Sequence, residues 1–332
     1  MHEFGIILIL IIVGALAFDY INGFHDTANA VATVVSTRVL SPTQAIVMAA
    51  VLNFAGAMVA TNVAKTIAKG IIETHYASET VVLAAIVGAI VWNIITWAGG
   101  IPSSSSHALI GGLCGAGIAY GGVAAVQWNG VMSKVLIPLI ASPVAGFLVG
   151  LTTMLIISSL FHSAHPRKAG HAFRYLQRAS AALMAFSHGQ NDAQKSMGVI
   201  TLALFTHGIL KKPEIPMWVI LTCATTMALG TAAGGWRIIK TMGHRIMHME
   251  PVNGFAAETS GAAIIMIASK MGMPVSTTHV LAGSIFGVGA SKGRHAVRWN
   301  VAKTMVTAWF LTIPAAGTVS AITFLIFHGL GL

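Results

Sequence analysis

The chain has 332 residues, of which 55% are hydrophobic and only 8% charged, and its formal net charge is +10. Because a soluble domain carries roughly 25% charged residues, this composition excludes an ordinary soluble domain and predicts a membrane protein with spans of about 20 apolar residues each. The basic residues cluster in short loops between apolar segments, a pattern explained by the positive-inside rule rather than by a nucleic-acid partner.

The apolar residues form ten segments, and no segment alternates with the period of two that is typical of an outer-membrane barrel strand. The segments lie near residues 4–36, 43–64, 79–99, 102–121, 134–160, 176–206, 215–235, 254–271, 274–290 and 302–328. The first has neither a basic leader nor a small-residue cleavage site, so we expect a retained helix rather than a signal peptide. The pattern predicts an all-α polytopic membrane protein.

Loop charges predict the orientation of the chain. Arginines and lysines in the loops at 162–178, 237–245 and 292–303 mark these loops as cytoplasmic. Counting the ten segments as spans from these loops places both termini outside.

Four motifs of the first half return in the same order in the second half. The pairs are GFHDTAN at 23–29 with GQNDAQK at 189–195, IPSSSSHALIGG at 101–112 with MPVSTTHVLAGS at 273–284, VQWN at 126–129 with VRWN at 297–300, and SPVAG at 142–146 with IPAAG at 313–317. Each half holds five segments, an odd number, so the halves are predicted to have inverted topology, as in many secondary transporters. The predicted units are an N-terminal transmembrane repeat at 1–161, a cytoplasmic linker at 162–178 and a C-terminal inverted repeat at 179–332.

Several acidic residues fall in or beside apolar segments, where a carboxylate is costly and is a functional candidate by default. Asp26 and Asp192 are equivalent in the repeat, which favours a functional site over an interfacial helix cap. Glu258, in the small-residue stretch AAETSGAA, is predicted to be a buried site residue. For Asp19, near a possible helix end, a cap and a functional role are equally supported.

Asn29 follows Asp26 by three residues, so both side chains can face one side of a helix. Carboxylate and amide oxygens suit a hard cation such as Na⁺, and the carboxylate can instead carry a proton. The residue equivalent to Asn29 is Lys195, whose ammonium group can pair with Asp192, attract an anion or occupy the space of a cation. A lysine that extends its charge to the membrane interface is the alternative for Lys195.

Two hydroxyl-rich runs, each following a proline, are predicted to begin helices. They are Ser103, Ser104, Ser105 and Ser106 after Pro102, and Ser276, Thr277 and Thr278 after Pro274. A helix N-terminus presents free N–H groups and a partial positive charge, so two such ends from opposed halves would hold a tetrahedral oxyanion from two sides. Ordinary capping and helix packing are the structural alternative. His107 and His279 follow the runs and can be donors, proton carriers or structural hydrogen-bonding groups.

Other chemistries lack their residue patterns. The stretch GQNDAQKS at 189–196 resembles a P-loop, but Gln194 stands where a glycine is required and no βαβ unit surrounds it. Cys114 and Cys223 lie in apolar surroundings, and no Cys/His spacing indicates a zinc site. No nucleophile–base pair is visible in a loop, so the chain is predicted not to be an enzyme and to need no cofactor other than a coupling ion, H⁺ or Na⁺.

Together, GFHDTANAVATVVSTR, SHGQNDAQKSMG, the Pro-Ser-Ser-Ser-Ser-His run and PVSTTHVLAGS resemble the PiT family of inorganic phosphate transporters, and its bacterial low-affinity members most. The resemblance implies a symporter of the plasma membrane, the inner membrane in bacteria, that carries phosphate with H⁺ or Na⁺ and in some members carries a metal–phosphate complex. It also implies two inverted repeats with broken helices or helical hairpins, whose tips hold the anion, and a homodimer in lipid. On this resemblance, some of the ten segments are expected to be re-entrant arms or broken helices rather than full spans. By motif, the core site is Asp26, Asn29, Asn191 and Asp192, with Asn191 among the phosphate ligands, and the tips are Ser104, Ser105, Ser106, Ser276, Thr277 and Thr278.

Much of the family reads G-A-N-D-x-A-N in both repeats, and this chain departs from that pattern twice. His25 replaces the first Asn of the N-terminal repeat, and Lys195 replaces the last Asn of the C-terminal one. A Na⁺ site at Asp26 and Asn29 stays possible, but a lysine ammonium can replace a bound cation. We therefore expect proton coupling. The candidate coupling residues are His25, Asp26, Asn29, Asp192, Lys195 and Glu258.

The leading prediction is a proton-coupled phosphate symporter that works by alternating access. Sodium-coupled phosphate symport and sulfate transport by the same fold are the alternatives within transport. Sulfate has no exchangeable proton at neutral pH, so a site with acceptors such as Asp26 and Asp192 favours phosphate. A passive anion channel, the alternative from another class, would not need paired carboxylates in opposed halves.

Overall fold

The computed structural model describes residues 5–331, and these residues fold into helices joined by short loops. Within that range the α-helices are α1 (Ile6–Ser36), α2 (Pro42–Ala57), α3 (Asn62–Gly70), α4 (Glu79–Ala98), α5 (Ser105–Gly121), α6 (Trp128–Val131), α7 (Ile137–Leu160), α8 (Pro166–Thr206), α9 (Met217–Ala233), α10 (Trp236–Lys240), α11 (Pro251–Lys270), α12 (Thr277–Ser291) and α13 (Trp299–Gly329). Two π-helical turns, Met132–Leu136 and Thr241–Arg245, connect α6 to α7 and extend α10. The all-α prediction is confirmed.

The helices form two series that follow the same order. Helices α1, α2, α4 and α5 correspond to α8, α9, α11 and α12, and the continuous rod of α6 and α7 corresponds to α13. A short 3₁₀ turn precedes the last helix of each series, at Val123–Ala125 and at Arg294–Ala296. Most of the segment predicted as a linker, residues 166–178, is the first part of α8, so the two series are separated by a turn of a few residues.

The two series run in opposite directions, as α1 and α8 show. In the middle of both helices, Asp26 lies beside Asp192. Just beyond the C-terminal end of α1, Thr37 donates a 2.8 Å hydrogen bond to Gln177, near the start of α8. Residue numbers therefore rise along α1 while they fall along α8. Equivalent helices are antiparallel, which confirms the inverted repeat.

The two halves are intertwined rather than set side by side. The first helix of each half packs on the second helix of the other, α1 on α9 and α8 on α2. The hairpin helices cross over in the same way, since α5 packs along α13 and α12 packs along α7. Each half therefore supplies the surface on which the other half folds.

Two helical hairpins, α4 with α5 and α11 with α12, turn at equivalent glycines. Gly100 and Gly272 have φ values of +61° and +69°, in the left-handed region that glycine enters without a steric penalty. The backbone N–H groups that follow them bond back across the helix ends, from Ile101 to the carbonyl of Thr96 at 2.9 Å and from Met273 to that of Ala268 at 2.9 Å. This is the glycine-dependent ending that closes many helices.

The turns deliver the two hydroxyl-rich runs to the tips of the hairpins. Helix α5 begins at Ser105 and α12 begins at Thr277, as the Pro-Ser/Thr patterns predict. The expectation of helical hairpins is therefore confirmed.

Fewer helices than apolar segments are able to cross a membrane. Each of the ten segments contains a helix, but within residues 5–331 only four spans are individually long and apolar enough: Ile6–Ser36, Glu79–Ala98, Trp128–Leu160 and Trp299–Gly329. Two bent pairs, Pro42–Ala57 with Asn62–Ala68 and Met217–Ala233 with Trp236–Arg245, bend by 68° and 61° and raise the number to six. The count of ten spans is too high because α5 and α12 are short and because α8 and α11 carry buried polar residues.

The basic loops meet on one side of the helices. Ser36, at the end of α1, donates a hydrogen bond to the carbonyl of Gly243 in the basic turn after α10. The N–H of Arg298, before α13, donates a 2.9 Å bond to the carbonyl of Ile246. Helix α13 starts on this side, and at 31 residues it is about 46 Å long. It therefore ends on the opposite side, where α1 begins.

Candidate functional site

The middle of α1, the middle of α8 and the two hairpin tips meet at the centre of the molecule. The side chains there are closed off from solvent on all sides. Asp26 is 3% exposed, Asp192 and Ser105 are 0% exposed, and Thr277 is 1% exposed. The conformation described here therefore holds the site shut.

Equivalent glycines in α1 and α8 fix the position of each helix along the neighbouring helix on which it packs. A Cβ atom placed on Gly23 would lie 2.5 Å from the carbonyl oxygen of Met227 in α9, and one placed on Gly189 would lie 2.1 Å from that of Asn53 in α2. Only glycine allows the backbones to approach so closely. Since each motif places its aspartate three residues after the glycine, this contact fixes the aspartate one helical turn further along.

In the N-terminal half, Asp26 is held by a histidine and by the first hairpin. Nδ1 of His25 lies 2.6 Å from Oδ1 of Asp26, and Ser105 donates a 3.4 Å hydrogen bond to Oδ2. Nε2 of His25 lies 3.1 Å from the hydroxyl of Thr96, which also accepts a 2.9 Å hydrogen bond from Ser103. The histidine that departs from the family pattern thus connects Asp26 to the base of its hairpin.

In the C-terminal half, Asp192 is held by a cationic side chain and by a histidine. Nζ of Lys195 lies 2.6 Å from Oδ1 of Asp192, and Nε2 of His188 lies 3.5 Å from Oδ2. Nδ1 of His188 lies 3.2 Å from Oδ1 of Asn53. Lys195 is 1% exposed, so it pairs with Asp192 and does not extend to the membrane interface.

The two hairpin tips approach the two aspartates in the same way. Thr277 donates a 3.4 Å hydrogen bond to Oδ2 of Asp192, matching the 3.4 Å bond from its repeat equivalent Ser105 to Asp26. Both helix N-termini therefore face the region between the aspartates. Such ends, with added hydroxyl donors, are suited to bind an oxyanion.

The serines one residue earlier act as helix caps. The hydroxyl oxygen of Ser104 accepts a 3.2 Å bond from the N–H of His107, and that of Ser276 accepts a 3.2 Å bond from the N–H of His279. Capping, the structural alternative, thus describes these two residues, while Ser105 and Thr277 contact the carboxylates.

The N-terminal half also binds the tip of the second hairpin, at the start of α12. The amide of Asn29 donates bonds of 3.1 Å and 2.8 Å to the hydroxyls of Thr277 and Thr278. Ser106 donates a 3.2 Å bond to the carbonyl of Val275 in the opposite hairpin. These contacts join the two hairpins across the centre of the protein.

His107 and His279 meet each other, with ring centroids 5.0 Å apart. His279 also stacks on Trp309, with centroids 4.1 Å apart. Because the two histidines are repeat equivalents, their contact marks the local twofold axis that relates the halves.

The centre offers ligand atoms for a cation. Asp26, His188 and Asp192 each present one such atom, all within 4.8 Å of one another, and carboxylates with an imidazole suit a proton or a metal ion. Oδ1 of Asn29 has no hydrogen-bond partner among residues 5–331, so the predicted Na⁺ ligands Asp26 and Asn29 retain a free oxygen. Lys195 already supplies a positive charge beside Asp192, so a bound cation fits the second half less well.

Two predicted site residues lie apart from the contacts between the aspartates and the tips. Asn191 donates a 2.8 Å hydrogen bond to Ser269 and a 3.4 Å bond to the carbonyl of Met273, so its amide braces the second hairpin as His25 braces the first. Its role as a phosphate ligand stays a prediction.

Glu258 forms a separate buried cluster. Its carboxylate accepts hydrogen bonds of 2.5 Å from Thr33 and 3.2 Å from Gln177, and a third bond from Ser180. The burial predicted for Glu258 is confirmed, since its side chain is 0% exposed, and its role in coupling stays a prediction.

Three residues of the centre were missed by sequence reasoning. His188 lies four residues before Asp192, a spacing that places both on one helix face, so this signal was available. Thr96 and Asn53 lie in apolar segments far from either motif, and only the three-dimensional packing brings them to the two histidines.

The inverted repeat, the broken helices and the buried charged centre define a polytopic membrane protein with the architecture of a secondary transporter. A profile of the "Phosphate transporter family" matches residues 22–320. The chain therefore belongs to this family of inorganic phosphate transporters, as its motifs indicate.

Individual relatives agree over nearly the full length. The chain is 50% identical to a "Probable low-affinity inorganic phosphate transporter" of Bacillus subtilis (strain 168), covering 97% of this chain and 98% of the relative. It is 48% identical to a protein of the same description from Rhizobium meliloti (strain 1021), with 96% of each chain covered. A solved structure described as "The sodium-dependent phosphate transporter" superposes with a TM-score of 0.90 at 26% identity, covering 98% of this chain and 99% of that one.

Proposed function

We propose that this protein is a symporter that imports inorganic phosphate together with protons by alternating access. One observation carries the proposal: two equivalent aspartates in opposed halves are each met by a hydroxyl at a helix N-terminus, in a site closed to solvent. The relatives named above as phosphate transporters support the substrate.

The chemistry of the centre favours phosphate over sulfate. Helix N-termini and hydroxyls are donors, which suit either anion. Asp26 and Asp192 are acceptors, and only an anion that carries a proton at neutral pH can donate to them. Competition between the two anions for uptake tests this choice, since stronger inhibition by sulfate than by phosphate would contradict it.

Proton coupling rests on the asymmetry between the two halves. Lys195 supplies a fixed positive charge 2.6 Å from Asp192, where the family pattern has an amide that can bind a cation. His25 lies 2.6 Å from Asp26, so an imidazole stands beside this carboxylate where the family pattern has an amide. The solved relative is described as sodium-dependent, and in this chain Asp26 and Asn29 form the alternative Na⁺ site.

The closure of the site supports alternating access. A substrate cannot reach carboxylates that are at most 3% exposed unless parts of the protein move. The hairpin tips are the parts whose contacts with Asp26, Asn29 and Asp192 would break and re-form. The tip residues would then close over the anion from both halves, and cation binding would compensate its charge.

A metal–phosphate complex is a further candidate cargo. The ligand atoms of Asp26, His188 and Asp192 lie within 4.8 Å of one another, a spacing at which they could contact the metal of such a complex while the tips contact its phosphate. Uptake of a divalent cation that depends on phosphate would support this cargo.

The charge distribution supports the predicted orientation. The basic loops share the side on which α1 ends and α13 begins, so the positive-inside rule places that side in the cytoplasm and both chain ends outside. We place the protein in the bacterial inner membrane as a homodimer surrounded by lipid.

Phosphate uptake into proteoliposomes with an imposed proton or sodium gradient tests the proposed function. We expect an inward proton gradient to drive accumulation in the parent protein and Asp26→Asn to abolish it. Lys195→Asn restores the amide of the family pattern, so we expect it to introduce a dependence on sodium. Equal uptake with and without both gradients would contradict symport.

A further inference from the structure

Asp19 is a buried carboxyl group that the proposed site does not use. It lies in α1, its side chain is 0% exposed, and neither oxygen has a hydrogen-bond partner among residues 5–331. An isolated carboxylate without partners is very costly to keep charged in an apolar interior. The group is therefore neutral, or a bound cation compensates it.

The other buried carboxyl groups of the described chain are all compensated. Asp26 pairs with His25, and Asp192 pairs with Lys195. Glu258 accepts three hydrogen bonds. Of these four carboxyl groups, Asp19 is the one with neither an ion pair nor a hydrogen bond among residues 5–331.

The fold itself does not require an acid at this place. The residue equivalent to Asp19 in the second half, 166 positions later, is Ala185, which is likewise buried in the middle of its helix. One half thus builds the same helix packing with a methyl group. A structural cap is excluded as well, because residue 19 lies in the interior of α1 (Ile6–Ser36).

The neighbours of Asp19 place it beside the second half of the site. Ser196 of α8 lies beside its carboxyl group, and Asp192 and Lys195 are within electrostatic reach. Cys223 is the titratable group that faces it from α9. The hydroxyl of Ser196 has no other hydrogen-bond partner among the described residues, so it is available as a donor to the carboxyl group of Asp19.

On its own helix, Asp19 precedes Asp26 by seven residues, or about 10 Å. It is therefore displaced from the phosphate site towards the start of α1. By the proposed orientation this is the outer side, from which protons and phosphate enter. Within residues 5–331, no hydrogen bond joins Asp19 to a residue assigned to phosphate.

We propose that Asp19 is a proton-binding site that couples transport to the proton gradient. Its carboxylate oxygen takes up a proton from outside water as an O–H bond, carries it neutral through the closed conformation, and releases it to water on the inside. Asp192 and Lys195 together are neutral, so the proton on Asp19 changes the net charge of this region by one without altering a group that contacts phosphate. This inference rests on proton coupling as the proposed function.

The test uses the full chain in proteoliposomes and compares Asp19→Asn with the parent, with Asp19→Glu and with Tyr20→Phe as a control on the neighbouring residue. Two quantities are measured: phosphate–phosphate exchange without a gradient, and accumulation driven by an inward proton gradient with an internal pH dye. We expect Asp19→Asn to keep exchange and to lose both the stimulation by the gradient and the proton influx. Asp19→Glu should retain both, and Tyr20→Phe should behave as the parent.

The outcomes separate this inference from the proposed function. A parent protein that ignores the proton gradient and responds only to sodium would overturn proton coupling as a whole. A parent that responds, together with an Asp19→Asn variant that responds equally, would overturn the role of Asp19 alone. Sodium-driven accumulation that is lost only in Asp19→Asn would identify the site as a sodium site and would also overturn the proposal.

A second measurement needs no variant, in case Asp19→Asn does not fold. Dicyclohexylcarbodiimide modifies protonated carboxyl groups in apolar surroundings, and peptide mapping by mass spectrometry locates the modified residue. We expect inhibition of transport to parallel modification of Asp19, with less modification at high pH. Inhibition with modification only at other acids, or no modification of any acid, would contradict the proposal.

Discussion

The two halves of the protein share one backbone fold, but side chains at equivalent buried positions are polar in one place and apolar in the other. In the C-terminal half, the carboxylate of Glu258 on α11 is surrounded by hydrogen-bond donors from Thr33, Gln177 and Ser180. The repeat equivalents of Glu258, Thr33, Gln177 and Ser180 are Ile86 on α4, Val199 on α8, and Ile11 and Gly14 on α1. There the contact is apolar: Ile86 is 1% exposed, and a Cβ atom placed on Gly14 would lie 3.3 Å from its side chain.

The same contrast appears at the centre of the site. The hydroxyl–aspartate contacts are equal in the two halves, at 3.4 Å each, whereas Asn29 in one half is replaced by Lys195 in the other. The backbone and the hydroxyl-bearing hairpin tips thus follow the repeat, and the charged and polar groups around them do not. Because buried polar groups stabilise a fold no better than well-packed apolar ones, a gain in stability does not account for these differences.

The largest expected difference between the halves concerns the aspartates. Asp192→Asn leaves the ammonium group of Lys195 buried without its carboxylate, so we expect a loss of about 3–5 kcal/mol in the free energy of unfolding. Asp26→Asn should cost less, because it leaves behind an imidazole, His25, rather than an ammonium group. Unfolding of the purified proteins in detergent measures both, and the double variant Asp192→Asn with Lys195→Asn should recover most of the loss. Equal losses in the two single variants would contradict this reading.

The next effect compares the polar cluster with its apolar counterpart. Glu258→Gln replaces one acceptor oxygen with an NH₂ group that faces donors, which should cost about 1–3 kcal/mol. Ile86→Val, at the equivalent position, removes one methylene and should cost about 0.5–1.5 kcal/mol. The same unfolding assay compares the two variants. A Glu258→Gln variant as stable as the parent would show that the three hydrogen bonds to this carboxylate do not stabilise the fold.

A smaller effect, on the KM for phosphate, distinguishes the hydroxyl groups of the two hairpin tips. Ser105→Ala removes one hydrogen bond to Asp26, so on the proposed function the KM for phosphate should rise by about 2- to 13-fold, which corresponds to about 0.5–1.5 kcal/mol. Thr277→Ala should raise KM more, because Thr277 contacts both Asp192 and Asn29. Initial rates of uptake at several phosphate concentrations measure these changes. A larger effect of Ser105→Ala would reverse the comparison.

The smallest effect lies at the start of α11, where Glu250 stands in the place of Ser78 in the first half. The hydrogen bond and charge of Lys292, 2.9 Å away, lower the pKa of Glu250. The pair therefore stabilises the fold above the pKa of the unfolded chain and stops doing so as pH falls through the folded value. The pair is largely exposed, so Glu250→Gln should cost less than about 1 kcal/mol at neutral pH and nothing at acid pH. Ser78→Ala, the control, should show no such pH dependence in thermal unfolding.

The sequence predicts the parts of this structure that depend on local pattern and on repetition. The starts of α5 and α12 follow from Pro-Ser/Thr runs, and the inverted order follows from four repeated motifs. The bends of the two broken pairs are not predicted, because apolar composition alone does not show where a helix turns. The ten apolar segments outnumber the possible spans for a different reason: some of the helices they contain are too short or too polar to cross a membrane.

The centre of the site is only partly predictable from the sequence, because not all of its residues belong to a repeated motif. The aspartates and hydroxyls are found because each motif occurs twice. Asn53 and Thr96 occur once, in apolar segments, and become site neighbours only through packing between helices distant in sequence. The direction of the Asn191 amide, towards Ser269, is likewise decided by the hairpin turn and not by the motif.

The contact between His107 and His279 has a consequence for how such a chain can change. A residue on a twofold axis meets its own equivalent, as in a symmetric dimer, so its two copies must suit each other. Away from the axis, as at Asn29 and Lys195, each copy meets a different neighbour and is free to specialise. Residues on the axis are therefore constrained to remain alike. Residues away from the axis are those at which the two halves of a duplicated protein can come to differ.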